Sequence, residues 1–236
     1  MSQESIRTYG NEDKALVAVD CIIFGFDPNK EELQLLLIKR DFEPEKGKWS
    51  LMGGFMKEDE TTKAAARRVL NKLTGLKNVY MEQLDVFSKV DRDPGERTIS
   101  VAYFALISTE DHDKELIKKY SASWVDLSKR PVLIFDHDEM VERAINRLRY
   151  KASFKPIGFE LLPEKFTMRQ LQKLHEEIFG QELDKRNFSK KMHSYGFLER
   201  LDEKDRSSSR KGSYLYRFNA EKLQQKDGNW IDYRNR

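Results

Sequence analysis

The sequence predicts an α/β (α+β) chain: a mixed sheet with helices in the N-terminal part, then a small helical unit closed by a two-stranded hairpin. Three observations predict it. Stretches rich in Val, Ile, Leu and Phe crowd residues 15–107 around a single helical period, and two capped helix starts follow one another in the second half. The length of 236 residues also suits two domains better than one. Charge divides the chain in the same way. Residues 1–150 carry 24 basic and 27 acidic side chains and residues 151–236 carry 19 and 13, so a total of +3 conceals −3 and +6. A uniformly basic nucleic-acid coat is thereby excluded, whereas a local basic surface is not. With 39% hydrophobic and 11% aromatic residues the chain can build cores despite 35% charged residues.

Residues 15–26 and 32–38 read as strands, and Asp27-Pro28-Asn29-Lys30 between them has turn composition, which predicts a hairpin. Leu33, Leu35 and Leu37 alternate with Gln34, Leu36 and Ile38, as expected of a strand covered on both faces. The Gly53-Gly54 pair between apolar neighbours predicts a tight backbone turn. Residues 61–74 have a helical period, with Ala65, Val69 and Leu73 four apart and Gly75 as the stop. Glu58, Asp59 and Glu60 precede this helix, where its dipole favours acids. Residues 79–90 and 97–107 are further strands separated by the polar turn 91–96, and a short Trp-containing strand near 123–127 closes the module. Residues 135–150 form an amphipathic helix with Met140, Val141, Ala144, Ile145 and Leu148 on one stripe.

Cys21 cannot form an internal disulfide and has no basic neighbour, so the expectation is a small buried side chain in a reducing compartment. The apolar run 15–26 is interrupted by Asp20 and falls short of the roughly 20 residues a membrane span needs. Met1 to Ser5 carry neither a basic cluster nor an apolar core, so no secretory signal is read and a cytoplasmic location is expected.

In the second half Thr167 and Gln170 make a capping box, with Phe166 and Leu171 as the hydrophobic staple and Leu171, Leu174 and Ile178 as the buried face. After Gly180, Asp184 caps a second helix that runs to about Tyr195; strands 197–201 and 214–218 follow, joined by a polar loop 202–212. This is the layout of a winged helix-turn-helix. On the second helix Phe188, Met192 and Tyr195 share one face. Arg186, Ser189, Lys190 and His193 occupy the other, flanked by Lys185, Asn187 and Lys191. Arg and Asn there can read guanine and adenine in a major groove, while Arg206, Ser208, Arg210 and Lys211 of the hairpin loop suit phosphate and minor-groove contact. Thr167, Arg169 and Gln170 complete the candidate DNA-binding set. A charge run is usually a solvated face. Here a helix pair, a basic outward face and a basic hairpin loop coincide, which favours DNA.

Residues 53–76 resemble the Nudix box. Gly54, Glu60, Arg68, Leu70, Gly75 and Leu76 match its pattern, whereas three metal-binding glutamates of that pattern are here Val69, Lys72 and Leu73. Divalent cations need carboxylate oxygens. Lys72 is moreover expected to place its charge where the cation would sit. The departures therefore imply no catalytic residues, no metal site and no cofactor, and a chain that is not an enzyme. A Nudix-like sheet followed by a winged helix is the architecture of the Nudix-related transcriptional regulators of NrtR and AraR type. The chain resembles them over about residues 12–220, through segments 155–163, 166–172 and 183–191, with 20–26, 49–55 and 91–97 similar to the arabinose-responsive branch of Bacteroidetes. The resemblance divides the chain into a Nudix-like effector domain (12–134), a bridging helix (135–152), a winged helix-turn-helix (153–222) and a tail (223–236).

By that resemblance the chain is a homodimeric repressor or activator on a palindromic double-stranded DNA operator, and the old catalytic cleft holds a small effector. A pentose such as L-arabinose is favoured, with ADP-ribose the other candidate; its pyrophosphate would be left to arginines such as Arg40, Arg67 and Arg68. Asp20, Lys39, Trp49, Ser50, Arg92 and Glu96 are the effector-site candidates, being polar or aromatic residues at strand ends and turns. Against them stand a core position for Trp49 and a pairing of Arg92 and Glu96 across a dimer interface. The alternative function is a metal-dependent Nudix pyrophosphohydrolase with an appended nucleic-acid domain, which the three departures disfavour.

Overall fold

A computed structural model describes residues 10, 12–77, 79–109, 115, 119–154, 157, 160–206, 211–219 and 222. Strand β1 (Leu16–Asp27) is the axis of a seven-stranded mixed sheet. Along one edge it runs parallel to β6 (Thr98–Ser108) from Leu16 to Phe26. The other edge is shared. β2 (Glu32–Lys39) is antiparallel to β1 over Phe24–Asp27, and β4 (Met52–Phe55) is antiparallel to it over Ala18–Cys21. β3 (Trp49–Ser50) and β7 (Ala122–Asp126) pair with β2, and β5 (Tyr80–Phe87) pairs with β6.

Both faces of β1 are covered, and that is why its sequence is an almost unbroken apolar run. Val19, Cys21 and Ile23 point to one core, where helix α1 (Thr62–Thr74) lays down Ala65, Ala66, Val69, Leu70 and Leu73. Ile22, Phe24 and Phe26 point to the other, where helix α2 (His137–Phe154) contributes Met140, Val141, Ala144, Ile145, Leu148 and Ala152. This second core continues without a break into the C-terminal unit through Leu162, Phe166, Leu171, Leu174, Phe188 and Met192. Cys21 is buried as expected, and burial pushes its thiol well above the ordinary range, so it is inert.

The Gly53-Gly54 pair is not a turn but the middle of β4. A Cβ on Gly53 would collide with Asp20 Oδ1, and one on Gly54 would lie 3.1 Å from Val69 Cγ2. The glycines let β4 lie close against β1 and α1. α1 starts with Thr61 accepting from the Ala64 N–H and stops at left-handed Gly75. No acid lies in its first turn; Glu58, Asp59 and Glu60 lie just before the Thr61 cap, and none of them supplies the cap itself. Glu60 instead takes two hydrogen bonds from Arg68, 3.0 Å from Nε and 2.5 Å from Nη2, which hold its carboxyl down at about 2.

In the C-terminal unit α3 (Met168–Phe179) carries the capping box in full: Gln170 N–H donates to Thr167 Oγ1, and Thr167 N–H to Gln170 Oε1. Gly180 ends it at φ 68°, and α4 (Lys185–Ser194) starts on Asp184, whose carboxylate accepts from the Asn187 N–H at 2.8 Å. β8 (Phe166–Thr167), β10 (Ser213–Phe218) and β9 (Leu198–Asp205) form a three-stranded antiparallel sheet in that order. β9 runs through Asp202–Asp205, a stretch whose composition predicts a loop. Much of it is exposed, so no apolar alternation marks it, and it is held by backbone pairing with β10 and by Arg200 and Lys204 over the Tyr214 ring.

Candidate functional site

A cavity of about 120 Å³ lies where β1 and β4 meet the start of α2. Its floor is polar and buried. Asp20 projects from β1 on the α2 side, and its Oδ2 accepts from Ser100 Oγ at 2.6 Å. Arg92, from the turn between β5 and β6, donates to both oxygens of Asp136 at 2.9 and 2.7 Å and lies 3.6 Å from Asp20. Burial works against the Arg92 charge, but the bonds to Asp136 and the charge of Asp20 outweigh it and raise its pKa. His137 follows at the first turn of α2. Its Nδ1 accepts from the Leu51 N–H at 3.1 Å, so the ring proton sits on Nε2, 3.7 Å from Asp20 Oδ1. Burial lowers the His137 pKa more than Asp20 raises it, and the ring is neutral at pH 7.

The rim is aromatic. Phe42 and Phe55 line the opening half-exposed, and the Arg40 guanidinium lies 3.8 Å from the Phe42 ring centroid and 5.3 Å from that of Phe135. Of the six sequence candidates the structure brings Asp20, Ser50 and Arg92 to the cavity. Lys39, Trp49 and Glu96 are not in its lining. Lys39 is exposed with its ammonium 5.2 Å from the Trp49 ring, Trp49 packs on the core behind β3, and Glu96 is exposed, its backbone carbonyl accepting from Thr98. Arg92 is engaged by Asp136 and Asp20 within the chain, and Glu96 is exposed. Sequence reasoning missed Phe42, Phe135 and His137 as cavity residues and Asp136 as the partner that holds Arg92. The available signal was Asp136-His137-Asp138 placed just where a helix begins on an apolar core.

None of the three degenerate box positions lines the cavity. Val69 and Leu73 are buried in the core on the α1 side of the sheet. Lys72 is exposed, with its ammonium 5.2 Å from the Tyr120 ring. The cavity floor lies on the α2 side, so it is not simply a metal cleft emptied of glutamates. Arg68 is occupied by Glu60 and the Phe55 carbonyl, which removes it from the arginines expected to serve a pyrophosphate. The residues at positions 69, 72 and 73 do not fit a divalent metal. Among the described residues no three His, Cys, Asp or Glu side chains are placed to share one.

The second candidate surface is on α4. Phe188 and Met192 are buried, whereas Lys185, Arg186, Asn187, Lys190, Lys191 and His193 are exposed and Ser189 is half-buried. Arg206 and Lys211 flank the hairpin tip in the open; Ser208 and Arg210 lie outside the described residues. The three candidates on α3 are engaged within the protein. Thr167 is buried as the cap, Gln170 is its partner, and Arg169 donates to Glu31 in the β1–β2 turn at 2.9 and 3.2 Å. An exposed DNA-contacting role for Thr167 is corrected: the capping hydrogen bonds bury it. Among the described residues no helix is long and apolar enough to cross a membrane.

Comparison with known proteins agrees with both halves. The family model for the NUDIX domain matches residues 14–144, and that for the NrtR DNA-binding winged helix domain matches residues 158–218. The ADPR responsive transcriptional repressor NtrR of Acinetobacter baylyi is 33% identical over 207 residues, covering 86% of this chain and 82% of that protein. An ADP-ribose pyrophosphatase of Methanocaldococcus jannaschii is 34% identical over 131 residues, 53% of this chain and 70% of that protein. Among solved structures, Shewanella oneidensis NrtR complexed with a 27mer DNA superposes with a TM-score of 0.78 at 28% identity, covering 88% of this chain and 95% of that one. A MutT/nudix family protein from Enterococcus faecalis gives 0.70 at 25%, with coverages of 92% and 90%. Matched over most of its length at both the sequence and the structural level, the chain belongs to the NrtR family, regulators that join a Nudix domain to a DNA-binding winged helix.

Proposed function

We propose that this protein is a homodimeric transcriptional repressor that binds a palindromic operator through α4 and the β9–β10 hairpin, and that an effector in the Asp20–Arg92–His137 cavity modulates that binding. ADP-ribose is the leading effector, supported by the likeness, over 86% of this chain and 82% of that protein, to a repressor named as ADPR responsive. The observation that carries the reading is the path from cavity to reader. The cavity network ends on Asp136 and His137, the start of α2, and the apolar face of α2 shares one continuous core with α3 and α4. A ligand that draws Arg92 or Asp20 away from Asp136 moves the start of α2, and with it the spacing of two recognition helices that must enter grooves one turn apart. Linkage requires only that the ligand bind the two arrangements unequally.

A pentose is the second reading, favoured by the small cavity, since pockets for whole cofactor-sized ligands run to roughly 300–1,000 Å³. Hydrolysis is not part of the proposal, because Val69 and Leu73 are core residues and offer no metal ligand. The test is an electrophoretic shift assay on the upstream DNA of neighbouring genes, with ADP-ribose and L-arabinose as additives. Retardation relieved by one of them supports the reading; no retardation at any fragment sinks it.

A further inference from the structure

The floor and the rim of the cavity differ in how their cations are engaged. On the floor the one guanidinium, that of Arg92, is held by Asp136 from behind the lining and lies 3.6 Å from the Asp20 carboxylate, with His137 Nε2 3.7 Å from Asp20 Oδ1. A carboxylate beside a guanidinium that is already engaged suits sugar hydroxyls and leaves an anion no free cation there. At the rim stands the other cation of the lining, Arg40. Its Nε donates to the Phe42 carbonyl at 3.1 Å, its plane is held near the Phe42 and Phe135 rings, and its backbone is pinned to Lys48 and Gly47. Among the described residues no carboxylate pairs with Arg40, so its remaining N–H groups are available for bidentate contact with a phosphate. Asp41 and Asp93 also border the opening. Asp93 is turned to the Gly95 N–H at 2.8 Å, and Asp41 is exposed.

We propose that Arg40 is the specificity-determining residue of the cavity: it selects a pentose that bears a phosphate over a neutral pentose, with the sugar hydroxyls on the floor beside Asp20 and the phosphate at the rim. The ribosyl end of ADP-ribose and a free pentose 5-phosphate share this chemistry. The small volume then fits, because only the sugar enters and the remainder of a larger ligand crosses the half-exposed Phe42 and Phe55. The inference rests on the effector reading above.

Isothermal titration of the full-length protein with ADP-ribose, ribose 5-phosphate and L-arabinose tests it, in wild type, Arg40→Gln and Arg40→Lys. Arg40→Gln should weaken the phosphate-bearing ligand that binds by about ten- to a hundredfold, the scale of a lost charge-assisted hydrogen bond, and leave any neutral-sugar affinity within about twofold. Arg40→Lys, which keeps the charge without the planar fork, should fall between. Whether ribose 5-phosphate suffices or the adenylate is also needed identifies the source of the phosphate. An unchanged affinity in Arg40→Gln, equal losses for phosphorylated and neutral ligands, or tighter wild-type binding of L-arabinose than of either phosphate would overturn the proposal while leaving an effector cavity in place. No binding of any of the three by wild type overturns both.

Discussion

Arg92 and Asp136 face each other in a bidentate pair at 2.7 and 2.9 Å, with side chains only 2% and 9% exposed, and so tie the β5–β6 turn to the residue preceding α2. A pair this deep is costly to break from one side, because the surviving charge stays buried. Asp136→Asn or Arg92→Met should each destabilise the protein by about 3–5 kcal/mol in urea unfolding, while the double variant should lose less than the sum of the two.

A second buried group sets a pH dependence. His175 of α3 is almost fully buried against the Phe188 ring of α4, and burial lowers its pKa to about 4. Its folded value lies below the unfolded one of about 6.5. Its share of stability is therefore present above pH 6.5 and is lost as pH falls from there toward 4, by about 2 kcal/mol at pH 5. His137 is shifted in the same direction by its own burial and adds to the slope. Melting curves between pH 7.5 and 4.5 should show the midpoint falling with pH, and His175→Leu should flatten that fall in part.

Restoring the Nudix carboxylates should not restore a hydrolase. Val69→Glu and Leu73→Glu put carboxylates into the α1 core, at a cost on the order of 3 kcal/mol each. Exposed Lys72→Glu should stay within about 0.5 kcal/mol of wild type. Thermal denaturation orders the three variants, and a magnesium-dependent ADP-ribose hydrolysis assay should stay at background for wild type and all three.

On α4, Arg186 and Lys190 are exposed and carry no ion pair among the described residues. Arg186→Glu and Lys190→Glu should weaken operator binding by about tenfold or more and reduce the salt slope of log affinity by about 1 for each DNA phosphate that is no longer neutralised. Melting temperature and effector binding should be unchanged; joint loss of folding and DNA binding would point to misfolding.

Much of this fold was legible in the sequence because its elements obey one period each. β1 and β2 are apolar runs around a turn, α1 has Ala65, Val69 and Leu73 in line, and the capping box of Thr167 and Gln170 fixed the start of α3. β4 was hidden because four residues centred on two glycines look like a turn until Asp20 and Val69 are seen pressing on them. In the site, Asp20 was visible as a charge within an apolar strand and Arg92 as a cation in a turn. Asp136 and His137 were not, since acidic and polar residues at a helix start need no further reason in a sequence. Arg40, Phe42 and Phe135 come together only through the fold, from a segment without periodicity and from the approach to α2.

By the proposed coupling, occupancy of the cavity changes the grip of α4 on DNA. Fluorescence anisotropy of a labelled operator fragment held by the full-length protein measures it directly, with ADP-ribose titrated into one sample and L-arabinose into a parallel one. A saturable change in operator affinity with one of them, reduced or abolished in Asp136→Asn, is the predicted result. An affinity for DNA that neither ligand alters, although one of them binds the protein, would contradict it.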